Sequence, residues 1–184
     1  QIAQPVLASI QDDEGCEIMV FRKMLRFTAF LSFPLMFGLT LVSREFILIT
    51  IHEKWIASVP LLQVLCVSGA FMPIYTLYQN FVISRGRSDV YMWCNIGQVV
   101  GLLALVFFCH TYGILTMVVA YTLFTIGWLL VWQWMVRRIA GLGFLTVVKD
   151  IFPFMLCAAA TMIVTYLFTA SLNNIYLLLA VRVL

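Results

Sequence analysis

The sequence predicts an all-α, polytopic bundle of transmembrane helices, and three observations predict it. Charged residues make up only 10% of the 184, while 64% are hydrophobic and the mean hydropathy is +1.05. A soluble domain carries about 25% charged residues, so a water-facing surface could not be covered and lipid must be the solvent. Five apolar runs are long enough to cross a bilayer, and the basic residues gather in alternate connections between them. Only helices or closed barrels satisfy every backbone group in lipid, and the alternating ten-residue strands of a barrel do not occur. The net charge of +3 is small and scattered, which argues against a nucleic-acid partner and leaves membrane lipid as the surroundings.

The runs follow in order. The first spans Phe27 to Val42, with a possible continuation to Ile51, and the second spans Ile56 to Ser84. The third covers Val90 to Cys109, the fourth Ile114 to Val136 and the fifth Ile151 to Ala170. Residues Ile2 to Ile10 read as the tail of an earlier span, and a sixth run begins at Ile175. The chain opens on Gln1 and stops at Leu184, inside that sixth run. The expectation is therefore a piece of a longer protein: a bundle over 1–170, then an outer loop and the start of a further span over 171–184, with partial helices at both ends. Pro34 and Pro73 fall inside spans, where a missing N–H favours kinks. Pro153 is read into the first turn of its helix, where it is harmless. The second run, at 29 residues, would be about 43 Å long as a helix and must tilt or bend.

Orientation follows from the connections. Arg22, Lys23, Arg26, Arg85, Arg87, Arg137, Arg138 and Lys149 lie on one side of the predicted spans, against Arg44 and Lys54 on the other. Positive loops stay cytoplasmic. His110–Gly113 and Ser171–Asn174 then face the opposite compartment. Trp55 is expected at the outer interface, and Trp132 and Trp134 at the inner one, the depth that amphipathic rings prefer.

Chemistry-bearing groups are sparse. The eight acids are read into loops or span ends, with Glu45 the debatable one, so no carboxylate is expected near the bilayer midplane. His52 and His110 belong to outer connections without a metal-binding motif. The five cysteines lack C-x-x-C spacing and read as small hydrophobes. No nucleophile elbow appears; neither an enzyme nor a cofactor is expected. Uncharged polar residues within spans stand out instead. The second run carries Gln63, Ser68, Tyr75, Thr76, Tyr78, Gln79 and Asn80, and the third carries Asn95 and Gln98, three apart and so on one face. They serve either interhelical hydrogen bonds or the wall of a polar cavity. Gly97 and Gly101 form a small-residue face suited to close packing. Arg85 and Arg87 flank Gly86 at the basic end of the second run, where a phosphate could be held or where they simply mark topology. The candidate substrate path is thus Gln63, Tyr75, Asn80, Arg85, Arg87, Asn95 and Gln98.

Three stretches resemble the C-terminal half of the polysaccharide (O-antigen type) flippases, relatives of the multidrug and toxin extrusion antiporters. They are Pro5-Val-Leu-Ala-Ser-Ile-Gln-Asp-Asp13; Ser32-Phe-Pro-Leu-Met-Phe-Gly38 followed by Glu53-Lys-Trp55; and Pro60-Leu-Leu-Gln63 through Gly69 and Pro73 to Ser84-Arg-Gly-Arg-Ser-Asp89. Residues 5–90 carry the likeness. Many relatives have glycine at the position of His52. The resemblance implies the second lobe of a two-lobed transporter, whose partner would be the missing N-terminal lobe of the same chain. It further implies a multi-pass protein of the bacterial inner membrane, flipping undecaprenyl-diphosphate-linked oligosaccharide units towards the periplasm for surface polysaccharide biosynthesis. A drug or metabolite antiporter of the same superfamily is the alternative. A membrane-bound transferase and a non-transporting truncated product are further readings.

Overall fold

The computed structural model describes residues 14–169. Helix α1 covers Glu14–Thr50, α2 Val59–Ser84, α3 Ser88–Cys109, α4 Ile114–Ala140 and α5 Phe144–Thr169. Short 3₁₀ segments, Glu53–Ser58 and His110–Tyr112, join α1 to α2 and α3 to α4. All five helices are long and apolar enough to cross a membrane, and no strand occurs among the described residues. The predicted fold class holds. The expected earlier span at Ile2–Ile10, the loop at Ser171–Asn174 and the run from Ile175 lie outside the described residues.

Helix boundaries depart from the hydropathy runs where charge interrupts them. Helix α1 starts at Glu14, well before Phe27, and continues to Thr50. Its 37 residues make about 55 Å at 1.5 Å per residue, far beyond a hydrocarbon core of about 30 Å. The first turns therefore stand in the headgroup region, where Arg22, Lys23 and Arg26 are good helix formers. Helix α5 likewise starts at Phe144, so Pro153 lies well inside it and not in its first turn. Its ring removes the hydrogen bond to the Lys149 carbonyl. The second run divides at Val59, with Pro60 in the first turn of α2, where its absent N–H costs nothing.

Packing places the helices in the order α5, α1, α2, α4, α3, with α1 and α2 the closest pair and α3 outermost. The reason is a stripe of Phe21, Leu25, Ala29 and Phe33, spaced by four on α1 and completely buried. It meets Ala70, Ile74, Tyr78 and Phe81 of α2. Phe21 and Phe81 have ring centroids 4.6 Å apart, and Phe33 stands edge-on to Phe71 at 5.3 Å. Ser32 Oγ satisfies itself on the Ala70 carbonyl at 2.7 Å. Helix α3 buries little beyond Cys94 and exposes Trp93, Leu103, Phe107 and Phe108. That surface suits hydrocarbon and not water. Its inner face is the small-residue face: a Cβ on Gly97 would lie 3.3 Å from Trp128, and one on Gly101 only 2.6 Å from Phe124. Close packing is what these glycines permit.

Packing corrects the reading of Trp132 and adds detail on the other aromatic, acidic and thiol groups. Trp132 is no interfacial anchor: it is fully buried between Tyr75 and Tyr91. Trp134 remains half-exposed, with the Arg138 guanidinium 3.9 Å above its ring. Glu17, Glu45 and Asp150 are helical and buried, and each lies near an end of its helix. Among the cysteines, Cys66 and Cys94 are buried while Cys16 and Cys157 are exposed.

Candidate functional site

Antiparallel alternation brings the start of α1, the α2–α3 turn and the α4–α5 turn to one end of the bundle. All eight of the basic residues grouped by the sequence pattern sit at that end, which we call the basic end. Gly86 at φ 70° reverses the chain between α2 and α3, a conformation that a Cβ would strain. Two sets of polar side chains follow from this arrangement, one within the spans, mostly in the half nearer the basic end, and one at the basic end itself.

The set within the spans is neutral. Tyr75 Oη donates to Gln98 Oε1, and Gln79 Nε2 donates to Asn95 Oδ1 at 3.3 Å. Four residues forward on α2 correspond to three residues back on α3, as two antiparallel helix faces require. Asn95 Nδ2 also donates to the Tyr91 carbonyl at 2.9 Å. On the other side of α2, the buried Tyr78 hydroxyl donates to Gln133 Oε1, and Gln133 Nε2 reaches the Leu142 carbonyl at 3.2 Å. Amides and phenols of this kind can exchange hydrogen bonds with hydroxyl-rich ligands. Among the described residues, no group of three or more His, Cys, Asp or Glu converges to hold a metal.

The basic-end set is ionic. Arg85 Nε lies 2.7 Å from Glu17 Oε2, joining α2 to α1. Asp150 on α5 takes a fork from Arg22, with Nε to Oδ2 at 2.7 Å and Nη2 to Oδ1 at 3.1 Å. Arg26 adds Nε to Oδ1 at 2.8 Å and Nη2 to the same oxygen at 2.6 Å. The spacing of four puts both guanidinia on one face of α1. Paired guanidinium–carboxylate bonds are among the stronger polar contacts in proteins.

The structure thus joins Tyr75 with Gln98, and Asn95 with Gln79, while Asn80 stays half-buried on α2. Gln63 is remote from them. It lines a cavity of about 410 Å³ near the opposite end, with Thr40, Leu41, Met162, Ile163, Tyr166 and Leu167. Arg85 and Arg87 diverge, as their spacing of two suggests. Arg85 is 12% exposed on Glu17, whereas Arg87 is exposed at the start of α3. Sequence reasoning missed Gln133, although a lone amide between Trp132 and Trp134 was a readable signal. It also missed Glu17 and Asp150, whose partners lie 68 and 128 positions away and share no local pattern.

Comparison with known proteins agrees with the resemblance read from the sequence. Residues 1–60 match the family described as "Polysaccharide biosynthesis protein". A "Teichuronic acid biosynthesis protein TuaB" of Bacillus subtilis is 28% identical over 162 residues, covering 86% of this chain and 33% of the relative. A "Lipopolysaccharide biosynthesis protein WzxC" of Escherichia coli is 32% identical over 92 residues, 50% of this chain and 19% of the relative. An "Uncharacterized membrane protein in cps region" of Klebsiella pneumoniae is 26% identical over 104 residues, 56% of this chain and 21% of the relative. An alignment of 162 residues extends the likeness well beyond residues 5–90. The chain spans between 19% and 33% of the length of these relatives. No solved structure matches. The chain is a multi-pass membrane protein similar to proteins of polysaccharide biosynthesis.

Proposed function

From this likeness to polysaccharide biosynthesis proteins, we propose that the chain forms one lobe of a flippase. Its cargo is an oligosaccharide carried on a polyprenyl diphosphate, moved from the cytoplasmic to the periplasmic leaflet of a bacterial inner membrane. The whole transporter would be completed by a further lobe of the same protein, and the chain is not an enzyme on this reading. The observation that carries it is the division of polar groups: neutral amides and phenols within the spans, and guanidinia at their basic end. A sugar crossing hydrocarbon needs uncharged hydrogen-bonding partners, and a diphosphate needs counter-charge. Two lobes rocking about such groups would expose them alternately to each side. The basic end is cytoplasmic by its charge.

Within this reading Tyr75, Asn80, Asn95 and Gln98 line the sugar path, Gln63 lies towards its periplasmic exit, and Arg87 and Arg85 stand at its cytoplasmic entrance. Deleting the gene in its host tests the proposal. The expected result is loss of surface polysaccharide, with accumulation of polyprenyl-diphosphate-linked repeat units in the membrane. Normal polysaccharide with increased sensitivity to organic cations would favour the antiporter instead.

A further inference from the structure

The basic-end cations are not equivalent, and their geometry singles out one group. Gly15, Ile18, Met19, Arg22, Lys23 and Arg26 follow one another at alternating steps of three and one along α1, so they form one stripe. Together they line a cavity of about 500 Å³. Among the described residues, Arg22 and Arg26 share one carboxylate, that of Asp150, and Lys23 lines the same cavity. Arg26 is half-exposed even while bound to it, Lys23 is exposed, and Met19 is 70% exposed beside them. Arg85, by contrast, is turned onto buried Glu17.

We propose that Arg22, Lys23 and Arg26 form a binding site for a phosphate-bearing group, and that Asp150 is a resident counter-ion which the phosphate displaces. An arginine fork that fits a carboxylate fits two phosphate oxygens equally well. Excess positive charge favours the doubly charged ligand over the single carboxylate. Exposed Met19 and half-buried Ile18 offer an apolar margin where a lipid chain could lie. Displacement would also release α5 from α1 at a point three residues before Pro153, where the helix already lacks a backbone bond. The phosphate belongs either to a lipid headgroup or to a free anion; the lipid assignment rests on the flippase reading, while the anion site does not.

The test uses the purified full-length protein in phosphatidylcholine nanodiscs. Two probes separate the sources: inorganic diphosphate in solution, followed by calorimetry, and polyprenyl diphosphate in the bilayer, followed as retained lipid by native mass spectrometry. Arg22→Gln with Arg26→Gln should weaken binding at least about tenfold, the loss of two charged hydrogen-bonding partners. Lys23→Gln, which disturbs no contact to Asp150, should weaken it severalfold. Asp150→Asn should tighten it, which no merely structural role for this residue would do. Arg137→Gln, which removes a basic charge at the same end outside the cavity, should leave it unchanged. Binding of either probe with this ranking supports the site. Retention of the lipid alone assigns the lipid source, and binding of diphosphate alone removes it. The absence of binding by both probes would overturn the site, as would equal losses with Arg137→Gln, or Lys23→Gln and a folded Asp150→Asn both binding like the parent chain. Deletion in the host reports separately on export, so the two proposals fail independently.

Discussion

Glu17 and Arg85 hold the first and second helices together at their basic ends through a 2.7 Å contact, with the Glu17 carboxylate fully buried and Arg85 12% exposed. Neither residue lies in an apolar run, yet the pair sits where the first two helices meet. The Arg85 guanidinium also lies 5.6 Å from the Phe81 ring. Removing one partner strands the other charge. We predict that Arg85→Gln or Glu17→Gln alone lowers stability by about 3–5 kcal/mol. The double variant should lose less than the two losses added together. Thermal unfolding in detergent measures both.

At the opposite end, His52 is a non-glycine residue with positive φ, the only one among the described residues, at φ 73° and ψ 169°. That region is almost exclusive to glycine. His52→Gly should raise stability by about 1–2 kcal/mol, measured as a shift of the same unfolding transition.

Glycine-to-alanine changes should split by environment. A Cβ at Gly101 would meet the Phe124 ring at 2.6 Å, whereas one at Gly127 meets nothing within 4 Å. Gly101→Ala should cost about 1–3 kcal/mol, and a companion Phe124→Leu should recover part of it. Gly127→Ala should be neutral or stabilising by up to about 1 kcal/mol. Paired unfolding curves decide between these signs.

Tyr78→Phe removes the hydroxyl that donates to Gln133 and leaves the amide oxygen buried. The expected loss is about 1 kcal/mol. Adding Gln133→Leu should worsen it, because the Leu142 carbonyl at the α4–α5 turn then loses its donor. Stability measurements on the single and double variants test this order.

Topology is checked by cysteine accessibility in intact cells, using a protein whose native cysteines have been replaced. Ser88 and Thr111 are both exposed and lie at opposite ends. An impermeant reagent should modify Thr111→Cys and spare Ser88→Cys; the reverse pattern would place the basic end outside.

The sequence by itself determined the solvent, the number of spans in the described region and the gathering of cations at one end. Each is a sum over neighbouring residues: hydropathy over a window, or Lys and Arg counted by connection. It also located the polar residues of α2 and α3, because a Gln or Asn within an apolar run is visible without knowing its partner. Partner choice needed the tertiary structure. Arg22 meets Asp150 across 128 positions, and no local pattern encodes that distance. Helix ends shifted for a related reason: hydropathy reports where lipid ends, while the backbone of α1 and α5 stays helical beyond it, held by ion pairs that only packing creates. Trp132 makes the same point from the core. Its composition suits an interface, but Tyr75 and Tyr91 close around it once α2, α3 and α4 come together, and burial of a large ring outweighs its preference for headgroups.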